Sequence, residues 1–274
     1  MQILGGFIMS LIYDEYNIWL TIDVEEIVDT NFNIKWKSKV DVDYEQLIDN
    51  WLKLNDELNY KSTCFVLGSF AKKYPHLVKK LSMSGHEIAS HGMNHDLVNK
   101  IPFEEWKESL KKSKMILEDI TGKKVYGYRS ASWSLPFDKK YYEELILSGY
   151  TYSSSYFPLK TYMYGNRINK KEPFIINTDS GQIKEIPIIK CAFPFSGGFY
   201  LRVLPLYLEQ YLFRSIILAG YKPVLYIHPY ELMNRNLINY FIKHAYISID
   251  FLLAFYSSKL PKDKIRRIIK YANK

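Results

Sequence analysis

His91 and His95 stand in the run Gly85-His86-Glu87-Ile88-Ala89-Ser90-His91-Gly92-Met93-Asn94-His95-Asp96, and an acidic cluster, Asp23-Val24-Glu25-Glu26, ends an apolar stretch far upstream. Neutral imidazole and carboxylate are favoured ligands of zinc and its neighbours. Two imidazoles at i and i+4 share one face of a helical turn and can reach a single ion. A carboxylate from elsewhere would complete a three-ligand set with positions left for water, the arrangement of hydrolytic rather than closed structural sites. The flanking sequence gives the pair a second setting: residues 86–90 read as a short strand, and Gly92 and Asn94 as turn residues. Both histidines then sit where a strand emerges into a loop, the edge on which α/β proteins build their sites.

The elements that must position these residues follow an alternating pattern. Apolar runs with strand character cover residues 17–24, 62–67, 86–90, 125–128, 150–153, 183–188 and 223–227. Between them lie segments of helical periodicity over 43–58, 69–83, 102–120, 138–147 and 205–218, several ending at a glycine. Strands that alternate with helices predict parallel strands joined by crossover helices. The expectation is an α/β fold, a distorted or incomplete (β/α) barrel of about seven parallel strands. Residues 156–176 are less regular and read as loops over one end. No repeat or linker divides the 274 residues, so one catalytic domain is expected, with 1–16 an N-terminal extension and 246–274 a helical tail.

Composition narrows the function classes. A hydrophobic fraction of 47 % with 24 % charged residues excludes a disordered chain, and 24 Tyr with 15 Phe make it rich in aromatics. The formal charge of +8, from 37 basic and 29 acidic residues, is partly concentrated in the tail, where Lys262, Lys264, Arg266, Arg267 and Lys270 accompany Ile265, Ile268 and Ile269. Such a helix presents its isoleucines inward and its cations to solvent or to an anionic surface. A peripheral membrane contact is open to it; nucleic acid is not expected, because no stacking motif accompanies the basic residues. Cys64 and Cys191 have no Cys-x-x-Cys spacing and indicate neither a disulfide framework nor a thiolate cluster. The N-terminus lacks a basic region ahead of its apolar residues, and no run approaches the roughly 18 apolar residues of a spanning helix. A cytoplasmic location is the expectation. Oligomeric state is not specified by any of these residues.

Asp23, His91, His95, Arg129 and His228 each fall at or just past the C-terminal end of an expected strand, and parallel strands would bring those ends to one face. The motifs around them resemble the NodB-homology polysaccharide deacetylases, carbohydrate esterase family 4, in the branch whose first motif reads Asp-x-Glu. The matching pieces, in the family's order, are Thr21-Ile22-Asp23-Val24-Glu25-Glu26, Ser90-His91-Gly92-Met93-Asn94-His95, Arg129-Ser130-Ala131-Ser132-Trp133-Ser134, Glu185-Ile186-Pro187 and Tyr226-Ile227-His228-Pro229-Tyr230-Glu231.

The resemblance implies a distorted (β/α) barrel and a metal-dependent hydrolase that removes acetyl groups from an N-acetylated sugar. It also implies Asp23 as general base, His91 and His95 as metal ligands, Arg129 as the residue that orients the base, and His228 as general acid. One divalent ion is implied, zinc first, with Co, Ni or Fe also compatible with the donor set. The sequence departs from the more usual first motif of two adjacent aspartates, because the second carboxylate is displaced to Glu25 or Glu26. Strand alternation places Glu25 on the side of Asp23, which favours Glu25 as third ligand, with Glu26 the alternative. Trp133 reads either as packing or as the wall of a sugar-binding groove. His86 reads as a structural histidine, and Glu231 as a support for His228 or a cap. Two other functions fit the same residues: a cyclic amide (ureide or imide) hydrolase on this barrel, and a glycan-binding relative without turnover.

Overall fold

The computed structural model describes residues 3–4, 7–8, 11–29, 42–159, 165, 170–190, 195–232 and 261–274. Residues 246–260 of the expected tail, Cys191 and much of 156–176 lie outside them. Eight strands form one sheet: β1 (Trp19–Val24), β2 (Thr63–Val66), β3 (Glu87–Ser90), β4 (Gly127–Tyr128), β5 (Tyr152–Ser153), β6 (Phe174–Thr178), β7 (Gly181–Glu185) and β8 (Val224–Ile227). Their order is β8-β1-β2-β3-β4-β5-β7-β6, parallel throughout except for the β6–β7 pair. The sheet curls into a half-barrel with β8 and β6 at its edges, the incomplete barrel expected, with seven parallel strands and one antiparallel.

The strands are apolar on both sides because both sides are covered. From β1, Leu20, Ile22 and Val24 join the large outer core with the helices, while Trp19 belongs to a second cluster inside the barrel with Phe65, Ala89, Tyr152 and Ile186. Alternation therefore puts Asp23 on the inner side with Trp19 and Thr21. The outer layer consists of α1 (Tyr44–Leu58), α2 (Gly68–Lys73), α3 (Pro75–Met83), α4 (Phe103–Thr121), α5 (Lys139–Leu147), α6 (Leu206–Leu218) and α7 (Pro261–Ala272). In α1, Asp43 caps the start by accepting from Gln46 N at 2.9 Å, and Asn59 ends it in the left-handed region at φ 51°. Asx residues suit both positions.

Two expectations are corrected. The single helix over 69–83 is two helices, because Tyr74 has non-helical φ/ψ and Pro75 occupies the first turn of the second, where its missing N–H costs nothing. The loops expected over 156–176 include β6, which pairs with β7 around Asp179-Ser180. The turn run Thr178-Asp179-Ser180-Gly181 between two stretches of strand character is the local signal that this hairpin carries.

Gly127 shows how closely the inner layer is packed. A Cβ there would overlap the ring and hydroxyl of Tyr152, which crosses it to donate to Glu87 Oε1 at 2.7 Å. Thr63 Oγ1 donates to the other carboxylate oxygen at 2.8 Å and accepts from Trp19 Nε1 at 2.9 Å. Gly127→Ala must displace Tyr152 from this buried network and is expected to destabilise the fold by about 1–3 kcal/mol, as overpacked cores do. A urea midpoint equal to wild type would show that the ring has room to move.

Candidate active site

The sheet register explains why distant residues meet. Val24, Val66, Ser90, Tyr128, Ser153 and Glu185 lie side by side across the sheet. One step further along each strand come Glu25, His91, Arg129 and Ser154, so the ends of four strands deliver polar side chains to one level. On the other flank Ile227 pairs with Ile22, which brings His228 level with Asp23.

Glu25, His91 and His95 are buried, and one donor atom of each lies within 4.8 Å of the others. His95 Nε2 is 3.0 Å and His91 Nε2 3.7 Å from Glu25 Oε2. His91 Nδ1 is 2.9 Å from the Arg129 carbonyl oxygen and donates to it, so its Nε2 keeps the lone pair that a cation needs. Burial, the neighbouring His95 and Arg129 push the His91 pKa down to about 3 despite Glu25, which holds that ring neutral. Glu25 Oε2 is buried without a hydrogen-bond donor, since the short approach of His95 lacks hydrogen-bond geometry. Two imidazoles that converge on a buried carboxylate are a donor set that suits a cation, and these three residues fit one.

The histidines do not share a helical turn. They lie in a loop directly after β3, with Gly92 at φ 87° and His95 itself at φ 60°. The first N–H groups of α2 hold this loop: Gly68 N donates to Gly92 O and Ser69 N to Met93 O, both at 2.9 Å. The orphan donors of a helix start thus fix the backbone that aims both imidazoles. Between the two candidate carboxylates the geometry chooses Glu25. Glu26 turns outward, where it accepts from Lys73 Nζ at 2.8 Å and Tyr74 Oη at 3.1 Å.

Two further pairs flank the cluster. Arg129 is wholly buried, and its Nη1 donates to Asp23 Oδ1 at 2.7 Å and to Thr21 Oγ1 at 3.0 Å. Its Nη2 donates to Ser154 Oγ at 3.2 Å, and the guanidinium lies 3.9 Å over the Phe65 ring. A planar fork held on several sides fixes the carboxylate it grips. On the opposite flank, His228 Nε2 is 4.0 Å from Glu25 Oε1 while its Nδ1 is 3.3 Å from Glu231 Oε2. The same Glu231 oxygen accepts from His228 N at 2.9 Å. Burial opposes the imidazolium, but Glu231, Glu25 and Asp23 outweigh it and raise the His228 pKa to about 9.

Residues 30–152 match the family model for polysaccharide deacetylase, and residues 154–247 match a second model, a domain of unknown function (DUF3473). The polysaccharide deacetylase match covers just under half of the chain. The first motif, residues 21–26, precedes the matched stretches; those at 90–95 and 129–134 fall in the first and those at 185–187 and 226–231 in the second, and the one sheet draws strands from both. Among curated proteins, the chain is 34 % identical over 73 residues to a peptidoglycan-N-acetylglucosamine deacetylase of Bacillus cereus, 26 % of each protein. It is 28 % identical over 108 residues to a peptidoglycan deacetylase of Helicobacter pylori, 39 % of this chain and 36 % of the relative. The matches thus span about a quarter to a third of those relatives. Among solved structures, a Mycobacterium smegmatis protein named as a polysaccharide deacetylase superposes with a TM-score of 0.61 at 18 % identity, over 93 % of this chain and 84 % of its own. An allantoinase superposes with a TM-score of 0.60 at 14 % identity, over 100 % of this chain and 91 % of its own. At these identities the likenesses concern the fold.

Other residues singled out from the sequence have definite places. Trp133 is 8 % exposed, with Tyr226 at 4.7 Å and Phe157 at 5.3 Å between ring centroids, so most of its surface is committed to packing rather than displayed on a groove. His86 lies at the far end of β3, where Ser62 N donates to its Nδ1 at 3.1 Å, a structural histidine. Its pKa falls to about 4, chiefly through burial. Glu231, read from the sequence as a support for His228 or a cap, contacts both the ring and the N–H of His228. Thr21 and Ser154, which steady Arg129, are not singled out by the sequence; the run Ser153-Ser154-Ser155 after a short strand is the available signal.

Glu185 also has a definite place. Buried at the end of β7, its Oε1 accepts from Ser155 N at 2.7 Å and Tyr156 N at 2.9 Å. Ser155 Oγ in turn accepts from Ser130 N at 3.0 Å, next to Arg129. Glu185→Ala leaves two buried N–H groups unpaired, and at about 1–3 kcal/mol each a loss of roughly 2–6 kcal/mol is expected in urea unfolding. Glu185→Gln retains an acceptor oxygen and should lose less. Equal losses for the two variants would contradict this anchoring role.

Proposed function

We propose that the domain is a hydrolase that removes N-acetyl groups from an N-acetylated sugar in a glycan or glycan precursor. The observation that carries the reading is the placement of two differently partnered groups, Asp23 with Arg129 and His228 with Glu231, on either side of the Glu25, His91 and His95 cluster. The names of the curated relatives, which are peptidoglycan deacetylases, support the same substrate class. A divalent cation, zinc by preference of two imidazoles and a carboxylate, would be held by Glu25, His91 and His95 and would supply Lewis acidity toward the amide carbonyl and toward water.

The remaining chemistry belongs to the chain. Asp23, fixed by Arg129, accepts the proton of the water that attacks the acetyl carbon. Thr21 and Ser154 keep the guanidinium from rotating, so the free carboxylate oxygen stays aimed at the reacting atoms. His228, protonated because Glu231 backs it, gives its proton to the departing amine nitrogen, which is a poor leaving group otherwise. Asp23, Glu25, His91, His95 and Arg129 are buried, which strengthens the action of their charges on the reacting atoms.

The test is release of acetate and free amine from N-acetylglucosamine oligomers by metal-loaded protein, with allantoin as the cyclic-amide control. Oligomer turnover without allantoin turnover is the expected result. Oligomer binding with no acetate release under any metal would leave a binding protein instead, and allantoin turnover alone would transfer the machinery to cyclic amides.

A further inference from the structure

We infer that the outer face formed by α6 and α7 docks on an anionic lipid surface. Among the described residues no helix is long and apolar enough to cross a membrane, so the contact is peripheral. The two helices pack side by side: Gln210 donates to Arg267 O at 3.1 Å, and Arg214 Nη1 to Tyr271 O at 3.2 Å. Their inner faces, Phe213 and Ile216 on α6 and Ile265, Ile268 and Ile269 on α7, are buried.

The outer face is unusual in two respects. First, it is aromatic and apolar: Tyr207 is 74 %, Tyr211 65 %, Leu218 75 % and Tyr271 39 % exposed. At 100° per residue, Tyr207, Tyr211, Arg214 and Leu218 lie within about 60° of one another on α6. The exposed large apolar side chains elsewhere, such as Met83, Met115 and Phe137, stand on separate elements. Second, among the described residues the face is cationic without counter-charge. Arg214, Arg267, Lys270 and Lys274 have no carboxylate within 4.0 Å among the described residues. The acidic groups of the two helices are used elsewhere, since Glu209 is buried against Lys264 at 3.4 Å and Asp263 pairs with Arg266.

Tyrosine and leucine beside unpaired lysine and arginine is the composition of a membrane-interface surface, where rings enter the headgroup layer and cations meet lipid phosphates. A protein partner would favour burial of the tyrosines but gives no reason for four cations without counter-charge.

The experiment is co-sedimentation of the full chain with vesicles of phosphatidylcholine alone or in equal parts with phosphatidylglycerol. Wild type is expected to pellet with the mixed vesicles at low salt, to be released by high salt, and to stay in solution with phosphatidylcholine. Combined Arg267→Glu, Lys270→Glu and Lys274→Glu should weaken partition by at least about tenfold. Tyr207→Ser with Tyr211→Ser should weaken it at unchanged charge, and circular dichroism checks that both sets fold. The corresponding glutamine substitutions at the three cations serve if charge reversal disturbs folding. No pelleting with phosphatidylglycerol, equal pelleting with both vesicles, or unchanged partition of the tyrosine variant would overturn the inference. The readout is lipid partition, so a failed deacetylation assay leaves it standing and a failed vesicle assay leaves the deacetylase reading standing.

Discussion

Asp23→Asn is expected to lower kcat/KM for acetate release by about 10²–10⁴, the usual contribution of a positioned acid or base. The substitution keeps the shape of the side chain, and its amide oxygen can still accept from Arg129 Nη1, which now sits 2.7 Å from Asp23 Oδ1. What disappears is a group that can take a proton. Folding and metal content should stay close to wild type, because Asp23 is not among the three clustered donors. That separation makes the variant informative: activity retained at a tenth or more of wild type would move the base elsewhere, and loss of metal would assign Asp23 a ligand role. The neighbouring Arg129 would be a poorer first choice, since its removal leaves a buried carboxylate unpaired and confounds stability with catalysis.

The second large effect is expected from the cluster itself. His91→Ala should reduce bound divalent metal, measured by elemental analysis after dialysis, from about one equivalent to near zero and abolish measurable turnover, since two protein donors rarely hold a catalytic ion. Glu25→Gln should weaken metal retention in the same direction. Glu26→Gln is the matched control. Its carboxylate is engaged with Lys73 and Tyr74 on the outer side, so metal content and turnover should be unchanged. Because the cluster is buried beside His228 and Arg129, thermal melting of the metal-free wild type supplies the reference that separates metal loss from unfolding. Loss of metal from Glu26→Gln with retention in Glu25→Gln would reverse the assignment.

Much of this architecture is local information. The strand at 17–24 and the helices at 43–58 and 102–120 lie within a few residues of Trp19–Val24, Tyr44–Leu58 and Phe103–Thr121, because each carries its own periodicity, caps or terminating glycine. The two-helix break at Tyr74-Pro75 and the β6–β7 hairpin carried local signals too, in Pro75 and in the Asp179-Ser180-Gly181 turn, but helical periodicity on both sides of the proline masked the first. The polar residues at strand ends were equally legible, since five of them follow apolar runs in chain order.

The chain alone therefore determined an alternating α/β fold and the chemical types gathered at one edge of its sheet: imidazoles, carboxylates and one arginine. Only the tertiary structure decided how they meet. It set Glu25 beside the two imidazoles and Glu26 against Lys73, placed His91 and His95 in a loop held by the start of α2, brought Glu231 to His228, and packed Trp133 against Tyr226 and Phe157. The reason is range. Periodicity and caps act over a few residues, whereas the direction of a side chain beyond the end of a strand depends on register with neighbours and on which distant donors pin its backbone.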